Sequence, residues 1–250
     1  MKKVVFFLFL FLCGCNYREL NQISIVNLLT LDQETESYIL SGLVTEDESG
    51  ELKFYQGKGK TMTIAFQNFE KKLKKTPYLS HLQAIIVNEN IAKQGLKKSL
   101  NYFLNRDNIR DNFYLLLTEK KASDLLKKIQ EENLEEDNLS NLVHNNKTDH
   151  PILNNTLNHF LKTYVNKGED PVLNYINENL EIDQVGFFKD DQLKKKGNQN
   201  MELNLLLKNT PSIVLTTDQS SYYIKELTVK ISLEGKTFTN TVTGVAKIAE

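Results

Sequence analysis

The stretch Ser24-Ile25-Val26-Asn27-Leu28-Leu29-Thr30-Leu31, followed after the polar interval 32–37 by Tyr38-Ile39-Leu40-Ser41-Gly42-Leu43-Val44-Thr45, decides how the chain is read. Both runs have the apolar content and alternation of strands, and the short interval between them predicts an antiparallel hairpin. Beyond it a loop is expected, containing Asp47-Glu48-Ser49-Gly50 and Gly57-Lys58-Gly59. Ile64, Phe66, Phe69 and Leu73 recur near helical spacing and predict a helix over 63–73. Pro77 bars its simple continuation. Residues 82–87 read as a buried strand, and 91–104 as a helix weakened by Gly95. Residues 113–118 read as a strand and 122–129 as an amphipathic helix. Hairpin, helix, strand, helix, strand, helix makes an α+β domain.

Residues 131–149 are acidic and asparagine-rich, the composition of a linker. Helices are expected over 153–165 and 171–179, and a strand over 183–188 with a turn at Asp190-Asp191. Residues 201–207 fit either state. Strands follow over 213–217, 222–233 and 237–248, the last two as a hairpin around Glu234-Gly235-Lys236. The expected fold is α+β and multi-domain, with mixed sheets, packed helices and a β-hairpin at its start. Its expected divisions are 15–130, a second α+β domain over 131–217, and a β-hairpin over 218–250 that begins an incomplete C-terminal domain.

Residues 1–14 precede this fold as an expected signal peptide. Lys2 and Lys3 open a basic segment, and the apolar run over 4–12 is far shorter than the roughly 20 residues of a membrane-spanning helix. Leu12-Cys13-Gly14-Cys15 then resembles the bacterial lipobox, with Cys13 standing where Ala, Ser or Thr is commoner. That resemblance implies cleavage before Cys15 and diacylation of its thiol. Cys13 and Cys15 are the only cysteines, so cleavage leaves no disulfide framework and no thiol-based metal site. Each buried methylene contributes about 0.8 kcal/mol, so two acyl chains hold firmly where one binds reversibly.

With 40% hydrophobic and 25% charged residues, the chain has material for ordinary folded cores. Its formal charge of -1 argues against nucleic-acid binding, which calls for a basic stripe or domain. Lys71-Lys72, Lys74-Lys75 and the lysines at 194–196 read as solvated faces. Chemistry is hard to assemble. Gly57-Lys58-Gly59-Lys60-Thr61 has the Gly-Lys-Thr ending of a phosphate loop but lacks the four-residue spacer. His81, His144, His150 and His159 form no ligand pair. Glu131-Glu132 and Glu135-Glu136 lie in the most polar stretch, where pKa tuning is least expected. No serine sits in a G-x-S-x-G setting. Arg106 is expected to cap a helix C-terminus and pair locally with Asp107. No cofactor, no metal and no enzymatic activity are expected.

The order of several short motifs carries a resemblance. Arg18-Glu19-Leu20-Asn21 follows the lipobox cysteine and leads into the first strand and Asp32. Gly59-Lys60-Thr61 comes next with Ala65 and Asn68, then Ser80-His81-Leu82 and Ala92-Lys93-Gln94-Gly95-Leu96. Leu104-Asn105-Arg106-Asp107 and Ile109-Arg110 follow, with an echo in Gly186-Phe187-Phe188-Lys189-Asp190 and Leu205-Leu206-Leu207-Lys208. This pattern resembles the C-subunit lipoproteins of spore germinant receptors, the Ger(x)C family. The chain departs from it in having Asn16-Tyr17 where the family has Trp-Asp, in lacking Trp altogether, and in being shorter at its C-terminus. The resemblance implies a non-enzymatic receptor component, lipid-anchored on the outer face of the inner spore membrane. Its implied partners are two integral-membrane subunits, A and B, and its implied role is nutrient-triggered germination. Glu19, Leu20, Gly59, Ala65, His81, Gly95, Arg106, Asp107 and Arg110 are the motif residues it singles out, with structural roles expected. The competing readings are a solute-binding lipoprotein of a transporter and an envelope enzyme. The first usually has two doubly wound lobes, which the hairpin start and β-rich end oppose. The second lacks a catalytic set.

Overall fold

The computed structural model describes residues 22–46, 50–106, 109–132, 153, 155–166, 169–198, 203–204, 212–216, 220–235 and 237–248. The two alternating runs pair as expected. β1 (Ile23–Glu34) and β2 (Ser37–Thr45) form an antiparallel hairpin. β1 is buried along almost its whole length because its other edge pairs, in parallel, with β4 (Thr76–Tyr78) and β5 (Ala84–Asn88). A strand covered on both faces and both edges needs a nearly continuous apolar run, as this one has.

The sheet continues through β3 (Leu52–Gly59) on one side and β6 (Tyr114–Thr118), β7 (Val172–Ile176), β8 (Ile182–Lys189) and β9 (Gln192–Gly197) on the other. The order is β3-β2-β1-β5-β6-β7-β8-β9, with β4 beside β1. β1, β5, β6 and β7 run parallel, and the flanking strands pair antiparallel. The sheet thus runs across position 131, β6 lying before it and β7 to β9 after it. The period of two sorts side chains between two layers. On one face Leu29, Ile85, Val87, Leu115 and Leu117 pack with helices α1 (Met62–Glu70), α2 (Glu89–Gln94) and α3 (Leu96–Leu104). On the other, Leu28, Ile86 and Leu116 pack with α4 (Ala122–Glu131). A further helix among the described residues, α5 (Leu157–Val165), joins the first face through Leu157 and Phe160. A separate antiparallel sheet holds β10 (Ser212–Thr216), β11 (Ser221–Glu234) and β12 (Thr237–Ile248), the last two turning at Gly235 with φ 62. The fold is α+β, a mixed sheet with packed helices.

Three expectations for local structure give way. Gly57-Lys58-Gly59 is not a loop but the end of β3, paired with β2 from Tyr38↔Gly59 to Thr45↔Leu52. The helix expected over 171–179 is strand β7, because Leu173 and Tyr175 face one layer and Ile176 the other. The single helix over 91–104 is two, broken at Gly95, whose φ of 119 no helix interior tolerates. The lysines at 194–196 are solvated as expected, Lys194 and Lys195 being exposed, and they lie in β9, the sheet's last strand, where charge blunts an open edge. Most of the expected linker over 131–149, and the segment 205–211, fall outside the described residues, as do residues 1–21.

Gly57 and Gly59 explain why β3 holds α1. A Cβ on Gly57 would lie 2.2 Å from the Ala65 carbonyl oxygen and 2.2 Å from the Phe69 amide nitrogen; one on Gly59 would lie 2.5 Å from the Ala65 amide nitrogen. Helix and strand backbones therefore touch. Asn68 Nδ2 donates to the Lys58 carbonyl at 2.8 Å, closing the contact. Below it, Phe66 and Phe69 are fully buried, each contributing on the order of 2–3 kcal/mol.

Two further carboxylates pin the crossovers. Asp32, buried at the end of β1, accepts from the Ala122 and Ser123 amides at 2.7 and 2.8 Å and caps α4 from a distance. Burial pushes its pKa up, and the amide hydrogen bonds pull against that. Glu46 is desolvated at the end of β2, yet its pKa lies below the ordinary 4.5 because Tyr55, the Lys74 amide and Ser24 all donate to it. Its carbonyl accepts from Lys75 Nζ at 2.5 Å, so this lysine is a structural tie rather than a solvated one.

Gly57→Ala is expected to lower the urea unfolding free energy by about 3 kcal/mol or more, since backbone atoms cannot yield as a side chain can. Gly50→Ala, with nothing within 4 Å of the new Cβ but φ 72, is expected to cost only about 1 kcal/mol. Equal costs would remove the close-contact argument. Glu46→Gln is expected to cost about 1–2 kcal/mol at pH 7. Because the folded pKa is depressed, that advantage of the native side chain is present above 4.5 and is lost as pH falls through the folded value. A cost that did not shrink in acid would show that the carboxylate's charge is not what matters.

Candidate functional site

Thr61, two residues after the glycine-rich strand ends, is the N-cap of α1, its Oγ1 accepting from the Ile64 amide at 3.2 Å. That N-cap places Lys60 and Thr63 at the mouth of a concavity opposite α3. The start of α3 is held from the β8–β9 turn, where the Asp191 carbonyl accepts from the Leu96 amide at 2.9 Å and its carboxylate from the Lys97 amide at 3.0 Å. Gly95 sits against that same carboxylate, 2.8 Å from where its Cβ would be. Leu96, Leu100 and Phe103 bury one stripe of α3. The i, i+3, i+4 pattern then puts Lys98, Asn101, Tyr102 and Asn105 on a neighbouring face.

Between α1 and α3 lies an open groove of about 470 Å³. Tyr38, buried Met62 and half-buried Tyr102 form its apolar part. Lys60, Lys98 and Arg106 line it with positive charge, and Thr63, Asn101 and Asn105 add neutral polar groups. Among the described residues that line it there is no carboxylate, although the charge of Glu70 reaches Tyr102. The Arg106 guanidinium lies 4.2 Å from the centre of the Phe66 ring and 5.0 Å from that of Tyr102, so it bridges α1 and the end of α3. Phe66 and Tyr102 also meet at 5.3 Å. Burial pushes the Tyr102 hydroxyl pKa up, with the charge of Arg106 opposing.

A second, smaller cavity of about 150 Å³ lies outside the carboxyl ends of β6 and β7, lined by Thr118, Ile176 and Gln184 among others. Its charges satisfy one another. Tyr175 Oη donates to Glu89 at 3.1 Å, and Lys196 pairs with Glu119 while lying 4.8 Å from the Tyr175 ring centre. Burial first, then the charges of Glu89 and Glu119, push the Tyr175 pKa up.

The motif residues thus fall into place unevenly. Gly59, Ala65 and Arg106 converge on α1 and the groove, and Gly95 shapes the start of α3. Arg106 does not cap α3: Asn105 is the C-cap, its Nδ2 donating to Asn101 at 2.8 Å. His81 is exposed on the turn before β5, its ring 5.6 Å from that of Tyr78. Arg110 is exposed beyond α3. Cys15, Glu19, Leu20 and Asp107 lie outside the described residues. Lys60 enters the sequence reading inside a failed phosphate-loop match and within the Gly59-Lys60-Thr61 motif, without a role of its own, and Lys98 carries no sequence signal at all. Among the described residues no group of three or more His, Cys, Asp or Glu is placed to hold a metal, and no helix is long and apolar enough to cross a membrane.

A family model described as the spore germination protein N-terminal domain matches residues 16–178, which include β1 to β7 and both walls of the groove. Spore germination protein B3 of Bacillus subtilis (strain 168) is 29% identical over 136 residues, 50% of this chain and 36% of that protein. The chain therefore spans little more than a third of the length of that relative. No solved structure matches.

Arg106→Ala is expected to lower stability by about 1–2 kcal/mol through loss of its stacking on Phe66 and Tyr102. Arg106→Lys is expected to recover only part of this, because an ammonium cannot lie flat on a ring. Chemical denaturation of the three proteins tests it, and full recovery by lysine would reduce Arg106 to a point charge.

Proposed function

The chain belongs to the spore germination protein family defined by this N-terminal domain, and from that premise we propose that it is a lipoprotein subunit of a spore germinant receptor. In this reading it is non-enzymatic and is needed for nutrient-triggered germination at the inner spore membrane. The observation that carries the reading is the family match across residues 16–178, which takes in most of the described fold.

The expected anchor is Cys15, held on the outer face of the membrane by its acyl chains, with the folded part in the aqueous phase. The expected partners are the integral-membrane A and B subunits of the receptor. A subunit of this kind works by contact rather than turnover. That role suits a fold whose motif residues pack backbone on backbone and cap helices instead of converging on a nucleophile or base. The transporter reading has no observation in its favour.

Spores lacking the gene are expected to lose the response to one class of nutrient while germinating normally with a non-nutrient trigger. Cys15→Ala is expected to move the protein from the membrane pellet to the soluble fraction and to reproduce that defect. Normal germination on every nutrient would defeat the receptor reading, and a Cys15→Ala protein that still pellets with membranes would defeat the anchor.

A further inference from the structure

Nine lysines of the described chain form ion pairs with carboxylates: Lys53, Lys58 and Lys93, then Lys120, Lys121 and Lys127, then Lys128, Lys189 and Lys196. Other described lysines, such as Lys71, Lys97, Lys194 and Lys195, form no such pair with a described residue, and what sets the groove between α1 and α3 apart is that it gathers three cations around one concavity. Lys60, Lys98 and Arg106 come from the β3–α1 junction, the first turn of α3 and the residue beyond its C-cap, and none forms a salt bridge with a described residue. Three like charges around one concavity repel one another, and their field is concentrated by the low-dielectric wall of Tyr38, Met62 and Tyr102. Arg106 is also pre-oriented, since its stacking fixes the plane of the guanidinium fork.

We propose that this groove binds a phosphate ester. A planar carboxylate is satisfied by one fork. A tetrahedral phosphate presents several acceptor oxygens in different directions, which suits donors arriving from three elements. The volume of about 470 Å³ far exceeds a bare phosphate, leaving space for an organic group against Tyr38, Met62 and Tyr102. Asn101, Asn105 and Thr63 supply neutral hydrogen-bonding groups along the same wall. Position in the fold agrees with this. Tyr38 pairs with Gln33 near the carboxyl end of β1 and with Gly59 at the end of β3, so the groove opens at the end of the sheet where ligands of parallel sheets are held. The ester is either a soluble metabolite or a phospholipid headgroup, since both present the same anion.

The test uses the full chain in neutral detergent micelles, with thermal unfolding and isothermal titration as readouts. The probes are inorganic phosphate, phenyl phosphate, and mixed micelles containing phosphatidylglycerol or phosphatidylcholine. Saturable stabilisation by phenyl phosphate exceeding that by inorganic phosphate is expected if the ligand is soluble. Saturable stabilisation by phosphatidylglycerol and not by phosphatidylcholine is expected if it is a headgroup. In either case Arg106→Gln is expected to weaken binding by about tenfold or more. Lys60→Gln with Lys98→Gln, at exposed positions that leave the core intact, is expected to do the same. Lys194→Gln with Lys195→Gln, on β9, is expected to change nothing. No saturable binding of any probe, or binding that the Lys60 and Lys98 substitutions leave untouched, overturns the proposal.

Discussion

The contact on which the rest of this structure depends is the approach of two backbones, β3 to α1. Helices ordinarily keep their distance from a strand because side chains stand between them. Here Gly57 and Gly59 remove those side chains on one partner, and Ala65 keeps the other small, so that the gap closes to atomic contact. Everything on that flank follows. Thr61 caps the helix where the strand ends, Asn68 ties it back to Lys58, and Phe66 and Phe69 reach the sheet rather than standing off from it. Phe66 then offers its ring to Arg106, which joins α1 to the end of α3. A sequence that looks like a phosphate loop with its spacer missing is, in this fold, a packing device.

Helix starts on both faces of the sheet are fixed by charge. α4 starts at Lys121 without a side-chain cap of its own, and its first-turn amides are met by Asp32 from a strand 90 positions earlier. α3 starts at Gly95 without one either, and Asp191 meets it from the β8–β9 turn. Orphan amides at a helix start must find acceptors. Borrowing them from remote carboxylates makes each crossover depend on the sheet being complete. This is why the helical layer and the strands of both halves of the chain behave as one construction around β1.

How much of this was legible in the sequence follows the range of the signal. The hairpin, β5, β6 and α4 are written in local periodicity, and they stand where that periodicity places them. β3 was hidden because glycines at 57 and 59 read as loop residues; their strand character comes from the helix that needs them bare. β7 was hidden because five residues, Val172-Leu173-Asn174-Tyr175-Ile176, are too few to separate the two periods. The site divides in the same way. Gly59, Ala65 and Arg106 are visible as members of an ordered pattern, although what joins them is not. Lys98 is one lysine among many, and it gains meaning only from the three residues that α3 turns away from the core.

Those residues matter because these two concavities among the described residues face the same end of the sheet and differ in one respect. In the smaller, beside β6 and β7, every charge has an opposite charge within reach, so adding a ligand there means breaking contacts already made. In the larger, beside β1 and β3, Arg106 lies on the rings of Phe66 and Tyr102, and neither it nor Lys60 or Lys98 forms a salt bridge with a described residue. A buried or half-buried cation that has stacked on aromatic rings has given up part of its hydration already, so an incoming anion has less water to displace. The groove is therefore the place where binding costs the fold least, and it lies between the two helices whose separation the Gly57–Ala65 contact sets. Occupancy there and the geometry of that flank are coupled through the same few residues.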